Sequence, residues 1–146
     1  MPRHEETQFI PHKPKDLYDL VCDVEQYPEF LPWCQAVRIR KRLNNVIYAD
    51  LVAGFKSFNE KYTSKVTFDA ENLTVDVEYE KGPFKHLINR WRFHEKDGGC
   101  EIDFFIDFEF KSKLLQSVAN MVFREAFQKM VAAFSQRADE IYGKSL

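Results

Sequence analysis

Cys100-Glu101-Ile102-Asp103-Phe104-Phe105-Ile106-Asp107-Phe108-Glu109-Phe110 runs directly into Lys111-Ser112-Lys113-Leu114-Leu115, and at that junction the hydrophobic pattern changes from the repeat of a strand to that of a helix. Ile102, Phe104, Ile106, Phe108 and Phe110 fall on one face, opposite Asp103, Asp107 and Glu109, so the strand presents an unbroken apolar wall to one side. Ser112 is suited to cap a helix, Lys113 to Tyr142 contains neither Gly nor Pro, and Gly143 stands where a helix-ending glycine would. A helix of ~30 residues would extend about 45 Å. Its broad apolar stripe holds Leu115, Ala119, Val122, Phe123, Ala126, Phe127, Met130, Ala133 and Phe134, with Arg124, Lys129, Gln136 and Asp139 outside it.

Upstream, Gln35 to Phe110 reads as consecutive strands joined by hairpins. Val37 and Ile39 alternate with Arg38 and Arg40, and Asn44-Asn45 signals a turn. Ile47, Ala49, Leu51 and Ala53 form the next inward row, ending at Gly54, where a bulge or bend is expected. Tyr62, Ser64, Val66 and Phe68 follow, then a turn at Asp69 to Asn72, then Leu73, Val75, Val77 and Tyr79. After Gly82-Pro83, the face carrying Leu87, Asn89, Trp91 and Phe93 opposes Arg90, Arg92 and His94, and Asp97-Gly98-Gly99 turns the chain. At the start, Thr7 to Ile10 is a short strand, Pro14 opens a helix over about residues 14–22, and a turn follows over Glu25 to Glu29. Pro28 and Pro32 push Tyr27 and Leu31 toward extended or turn geometry. This order predicts an α+β helix-grip fold: one domain over residues 1–146, with a curved antiparallel sheet of about seven strands around a long C-terminal helix. Two short helices follow the first strand, and a pocket remains wherever the helix leaves the concavity unfilled.

Composition narrows the function. Fourteen Phe, six Tyr and two Trp call for a dense core or an apolar cavity. A net charge of −2 gives no long-range attraction for nucleic acid, which excludes DNA as the expected partner. Cys22, Cys34 and Cys100 lack the spacing of a zinc site and suit a reducing compartment. The N-terminus shows no signal or transit pattern, which favours a bacterial cytoplasmic protein, peripheral to the inner membrane if it meets one; a mature mitochondrial form is the alternative.

No catalytic set emerges. His86 and His94 read as solvent-facing strand residues with no converging carboxylate, and Cys34 as a buried, inert thiol. No phosphate loop, serine elbow or HExxH pattern occurs. The apolar segment Phe30-Leu31-Pro32-Trp33-Cys34 is either a plug closing the sheet or a lid over a pocket mouth that also touches a membrane or partner. Ser64 and Asn89, polar positions in apolar rows, are either hydrogen-bonded core residues or anchors for a ligand head. The basic strand Arg38, Arg40, Lys41, Arg42 is a solvated face or a contact for anionic lipid.

Asp23-Val24-Glu25-Gln26-Tyr27-Pro28-Glu29-Phe30-Leu31-Pro32-Trp33-Cys34 resembles the signature of the coenzyme Q-binding, START-like proteins. Gly54-Phe55, Glu60 to Val66, and Gly82 to Leu87 with Asn89, Trp91 and Phe93 agree with it, whereas Ala53 replaces an expected bulkier valine. The resemblance implies an apolar tunnel and a lipid chaperone for ubiquinone or a similar polyprenylated lipid, supporting respiratory electron transfer without catalysis or a catalytic cofactor. Phe30, Leu31, Pro32, Trp33 and Cys34 would guard the tunnel; Phe55, Tyr62, Tyr79, Trp91, Phe104, Phe108, Val122, Phe123, Phe127 and Met130 would contact the ligand. A bacterial branch of the family, the ribosome association toxin RatA, implies the alternative of a toxin that binds the ribosome and blocks subunit joining. The wider superfamily adds polyketide cyclase-like enzymes.

Overall fold

The computed structural model describes residues 3–31, 33–55 and 58–143, the side chains of Phe55 and Phe58 excepted. Its strands are β1 (Arg3–Ile10), β2 (Cys34–Leu43), β3 (Val46–Phe55), β4 (Phe58–Asp69), β5 (Thr74–Lys81), β6 (Phe84–Lys96) and β7 (Gly99–Phe110). Helices α1 (Pro14–Cys22), α2 (Tyr27–Phe30) and α3 (Lys113–Tyr142) accompany them, with a single 3-10 turn at Val24–Gln26. The strands form one antiparallel seven-stranded sheet in the order β1-β7-β6-β5-β4-β3-β2. This is the helix-grip arrangement expected from the pattern.

The turns follow residue chemistry. Asn44 and Asp97 take positive φ at the hairpin corners, as short polar side chains tolerate. The Ser112 hydroxyl accepts from the Leu115 amide at 3.2 Å, and Gly143 closes α3 with φ 78°.

Three local expectations change. The first strand begins at Arg3 rather than Thr7, because β7 supplies a partner along the whole edge, from Asp107 opposite Arg3 to Cys100 opposite Ile10. Tyr27 is helical (φ −52°, ψ −42°) despite preceding Pro28, and α2 is only one turn long. Tertiary packing overrides the proline penalty: the Tyr27 ring meets Phe30 and Phe134 edge-on, and its hydroxyl donates to the Val21 carbonyl. Leu31 is extended, as its proline neighbour requires. Gly54 makes no bulge in the β3–β4 register; it is a point of close approach, its amide donating to the Trp33 carbonyl at 2.7 Å. The irregularities of this region lie instead between β2 and β3, at Cys34/Ala36 and Ile39/Lys41.

The fully buried apolar residues fall into two clusters, bridged by the partly buried Tyr62, Val77, Ile106 and Phe123. A larger cluster joins α1, the sheet centre and the second half of α3, including Leu17, Ile47, Val75, Trp91, Phe104 and Phe134. A smaller one holds Phe84, Leu87, Phe108, Phe110 and Ala119. α2 is clamped to α3 where the Phe30 ring meets Phe134 at 5.2 Å and the Arg137 guanidinium lies 5.1 Å above Phe30.

Candidate functional site

Between sheet and helix lies a cavity of about 240 Å³, walled by both clusters. Alternation along the strands builds it. β3 contributes Leu51, Ala53 and Gly54; β4 contributes Tyr62, Ser64 and Val66; β5 contributes Val75 and Val77. β6 adds Phe84, Leu87, Asn89 and Trp91, and β7 adds Phe104, Ile106, Phe108 and Phe110. Across from them α3 presents Ala119, Val122, Phe123, Ala126, Phe127, Met130 and Phe134, while Val24, Tyr27, Leu31 and Trp33 complete the wall. Edge strands β1 and β2 contribute nothing among the described residues.

Of the residues singled out from the sequence, Leu31, Trp33, Tyr62, Trp91, Phe104, Phe108, Val122, Phe123, Phe127 and Met130 line this space. Pro32 and the Phe55 side chain lie outside the described residues. Phe30, Cys34 and Tyr79 are not part of the wall. Phe30 is engaged with Phe134 and Arg137; Cys34 is buried at the start of β2, where burial pushes its thiol up to about 11. Tyr79 packs beside the wall, its ring against Phe84 and its hydroxyl accepting from the Phe84 amide at 3.3 Å. Several wall residues escaped sequence reasoning, among them Val66, Val77, Ile106 and Ala126. The alternating rows already placed the first three inward, and the apolar stripe of α3 the last. Nothing short of the packed helix could separate those facing a void from those touching a side chain.

The wall is almost wholly apolar, and no carboxylate, imidazole, amine or guanidinium belongs to it among the described residues. Asn89 is consumed internally: its amide nitrogen donates to the Phe105 carbonyl and its oxygen accepts from the Trp91 indole, both at 2.9 Å. Burial raises the phenols of Tyr27 and Tyr62 well above the ordinary tyrosine range, so both stay neutral. The Ser64 hydroxyl is 1% exposed as a residue and has no hydrogen-bond partner.

The histidines lie elsewhere, and the expectation that no carboxylate converges on them is corrected. His86 meets Asp107 and His94 meets Asp103, each at 3.0 Å, because antiparallel pairing of β6 and β7 sets basic and acidic outer rows side by side. His12 is buried and bonded to Asp139 at 2.7 Å, joining the β1–α1 connection to the end of α3. No group of three or more potential metal ligands occurs among the described residues.

The sequence and fold can be set beside known proteins. The family model described as "polyketide cyclase / dehydrase and lipid transport" matches residues 10–135. The chain belongs to this family. It is 39% identical over 138 residues to the ribosome association toxin RatA of Rickettsia prowazekii, covering 92% of this chain and 94% of that protein. It is 32% identical to the mitochondrial coenzyme Q-binding protein COQ10 homolog B of Xenopus laevis, covering 97% of this chain but 59% of that one. Among solved structures, the 18 kDa protein CC1736 of Caulobacter crescentus superposes with a TM-score of 0.84 at 34% identity, over 99% of this chain and all of that one. A START superfamily protein of Mycobacterium smegmatis gives 0.82 at 16% identity over 95% of this chain and 98% of that one, a likeness of fold alone. The resemblance read from the Asp23–Cys34 block is therefore borne out.

Proposed function

We propose that this chain binds a hydrophobic lipid in the cavity between sheet and α3 and carries it without transforming it. A polyprenylated quinone such as ubiquinone fits this reading, which would place the protein in support of respiratory electron transfer. The observation that carries the proposal is the apolar cavity between the sheet and α3. Apolar walls that do not meet one another forfeit the packing contacts a filled core would make. A ligand of matching chemistry restores those contacts. The size also limits the occupant. A cavity of about 150 Å³ holds a benzene molecule, so this one accommodates a ring and the beginning of a chain, with the rest of a long isoprenoid leaving the interior. The named coenzyme Q-binding relative and the lipid-transport family support the same class of ligand.

Leu31, Trp33, Tyr62, Trp91, Phe104, Phe108, Val122, Phe123, Phe127 and Met130 would contact it. Enzymatic turnover is disfavoured because no wall group could serve as an acid or base near neutral pH. Exchange with a bilayer would be a peripheral contact; among the described residues no helix is long and apolar enough to cross a membrane. Mass spectrometry of organic extracts from the purified protein, with titration of added quinone, tests the proposal. Co-purified lipid or saturable uptake is expected; absence of both defeats it.

The RatA relative, matched over nearly its full length, favours a second reading in which the protein acts on the ribosome. Sedimentation of ribosomal subunits with and without the protein decides that reading. Unchanged subunit joining eliminates it.

A further inference from the structure

We propose that the Ser64 hydroxyl is the polar contact for one oxygen atom of the bound lipid, so that the cavity selects an apolar molecule bearing a carbonyl or ether oxygen on its buried end. This rests on the reading of the cavity as a lipid site and adds to it which part of the ligand enters. Ser64 occupies the inward row of β4 between Tyr62 and Val66, faces the cavity, and is 1% exposed. A hydroxyl in that setting is expected to be paired, since burying one unpaired is costly. Among the described residues no neighbouring group lies within hydrogen-bonding reach of it. Asn89 spends its amide on the Phe105 carbonyl and the Trp91 indole, and the Tyr27 hydroxyl donates to the Val21 carbonyl. Across the sheet Ser64 is opposite Ala49 on β3 and Tyr79 on β5, whose hydroxyl is turned to the Phe84 amide. The Ser64 hydroxyl is thus an unpaired donor on an apolar cavity wall.

A ligand oxygen satisfies that donor, whereas a pure hydrocarbon end leaves it unpaired. The asymmetry works as a preference, because only an oxygen-bearing end gains a hydrogen bond on entering, while a hydrocarbon end gains none. A quinone or ring-ketone head would enter first, its carbonyl accepting from Ser64, with its chain directed outward.

The test titrates two probes of matched shape, decylbenzoquinone and decylbenzene, into the unaltered protein and the Ser64→Ala variant, with thermal unfolding of both unliganded proteins. The expected result is that Ser64→Ala weakens the quinone about tenfold, the scale of one lost hydrogen bond. Binding of decylbenzene should be unchanged, and the unliganded variant should unfold no earlier than the parent. Equal affinities of variant and parent for the quinone, or equal losses for both probes, overturn the assignment of Ser64 while leaving the lipid site standing; a cavity water then satisfies the hydroxyl. Failure of the unaltered protein to take up either probe removes both the site and the assignment.

Discussion

Ser64 and Asn89 stand alike in the sequence, polar side chains in apolar rows, yet the folded chain separates them. Asn89 is locked between strand and indole, while Ser64 keeps its hydroxyl free. The difference is one of reach: an amide can bridge two neighbours, and a serine oxygen can touch only what lies beside it. Gly82 shows the same dependence on surroundings. It has φ 143°, and a β-carbon there would sit 2.7 Å from the Tyr62 β-carbon and 3.1 Å from the Lys61 carbonyl oxygen. Neither neighbour is a flexible side-chain end. Gly82→Ala should therefore destabilise by about 1–3 kcal/mol, read as a lowered urea midpoint, and should weaken lipid uptake by shifting the Tyr62 part of the wall. Unchanged values for both would show that the turn relaxes at no cost.

Elements inherit their limits from their partners. The one-turn α2 survives with Pro28 inside it because Tyr27, Phe30 and Arg137 pin it to α3. β1 is longer than its own apolar residues suggest because β7 pairs with its polar start. That start also touches the helix: the His4 ring stacks on Phe123, centroids 3.8 Å apart and 10° from parallel. Partial burial there lowers the His4 pKa from 6.5, with Glu6 opposing and Arg124 reinforcing the shift. Since the folded pKa lies below the unfolded one, the unfolded chain binds more protons in the interval between them. The His4 contribution is complete above pH 6.5 and is lost as pH falls through the folded pKa. His4→Phe keeps a ring against Phe123 but cannot titrate. Urea midpoints of the parent should fall relative to those of the variant as pH drops below 6.5, with parallel profiles counting against the contact.

Over the whole molecule, the sheet grips a helix too slender to fill its concavity, and an apolar space is left over between them. Filling that space should separate binding from stability. Ala126 lies on the α3 side of the wall. Ala126→Phe is expected to raise the thermal midpoint, each kcal/mol recovered giving about 2–4 °C at this size, and to abolish saturable lipid uptake. Retained uptake would place the ligand elsewhere. A lower midpoint together with lost uptake would mean that the added ring overpacks a space the wall cannot enlarge.

Strand alternation through Phe110, the capped run from Ser112 to Gly143 and the turn signals at Asn44, Gly82 and Asp97 were legible without a structure, because they reflect bonds and periods local to the chain. They were sufficient for the helix-grip order and for naming the inward rows. Which inward residues face a void, why Phe30, Cys34 and Tyr79 are occupied elsewhere, and which of two polar side chains is left without a partner were decided only by the fold. Periodicity specifies the direction in which a side chain points, but a cavity is set by the distance between surfaces brought together from remote parts of the chain. That distance depends on every side chain packed between them.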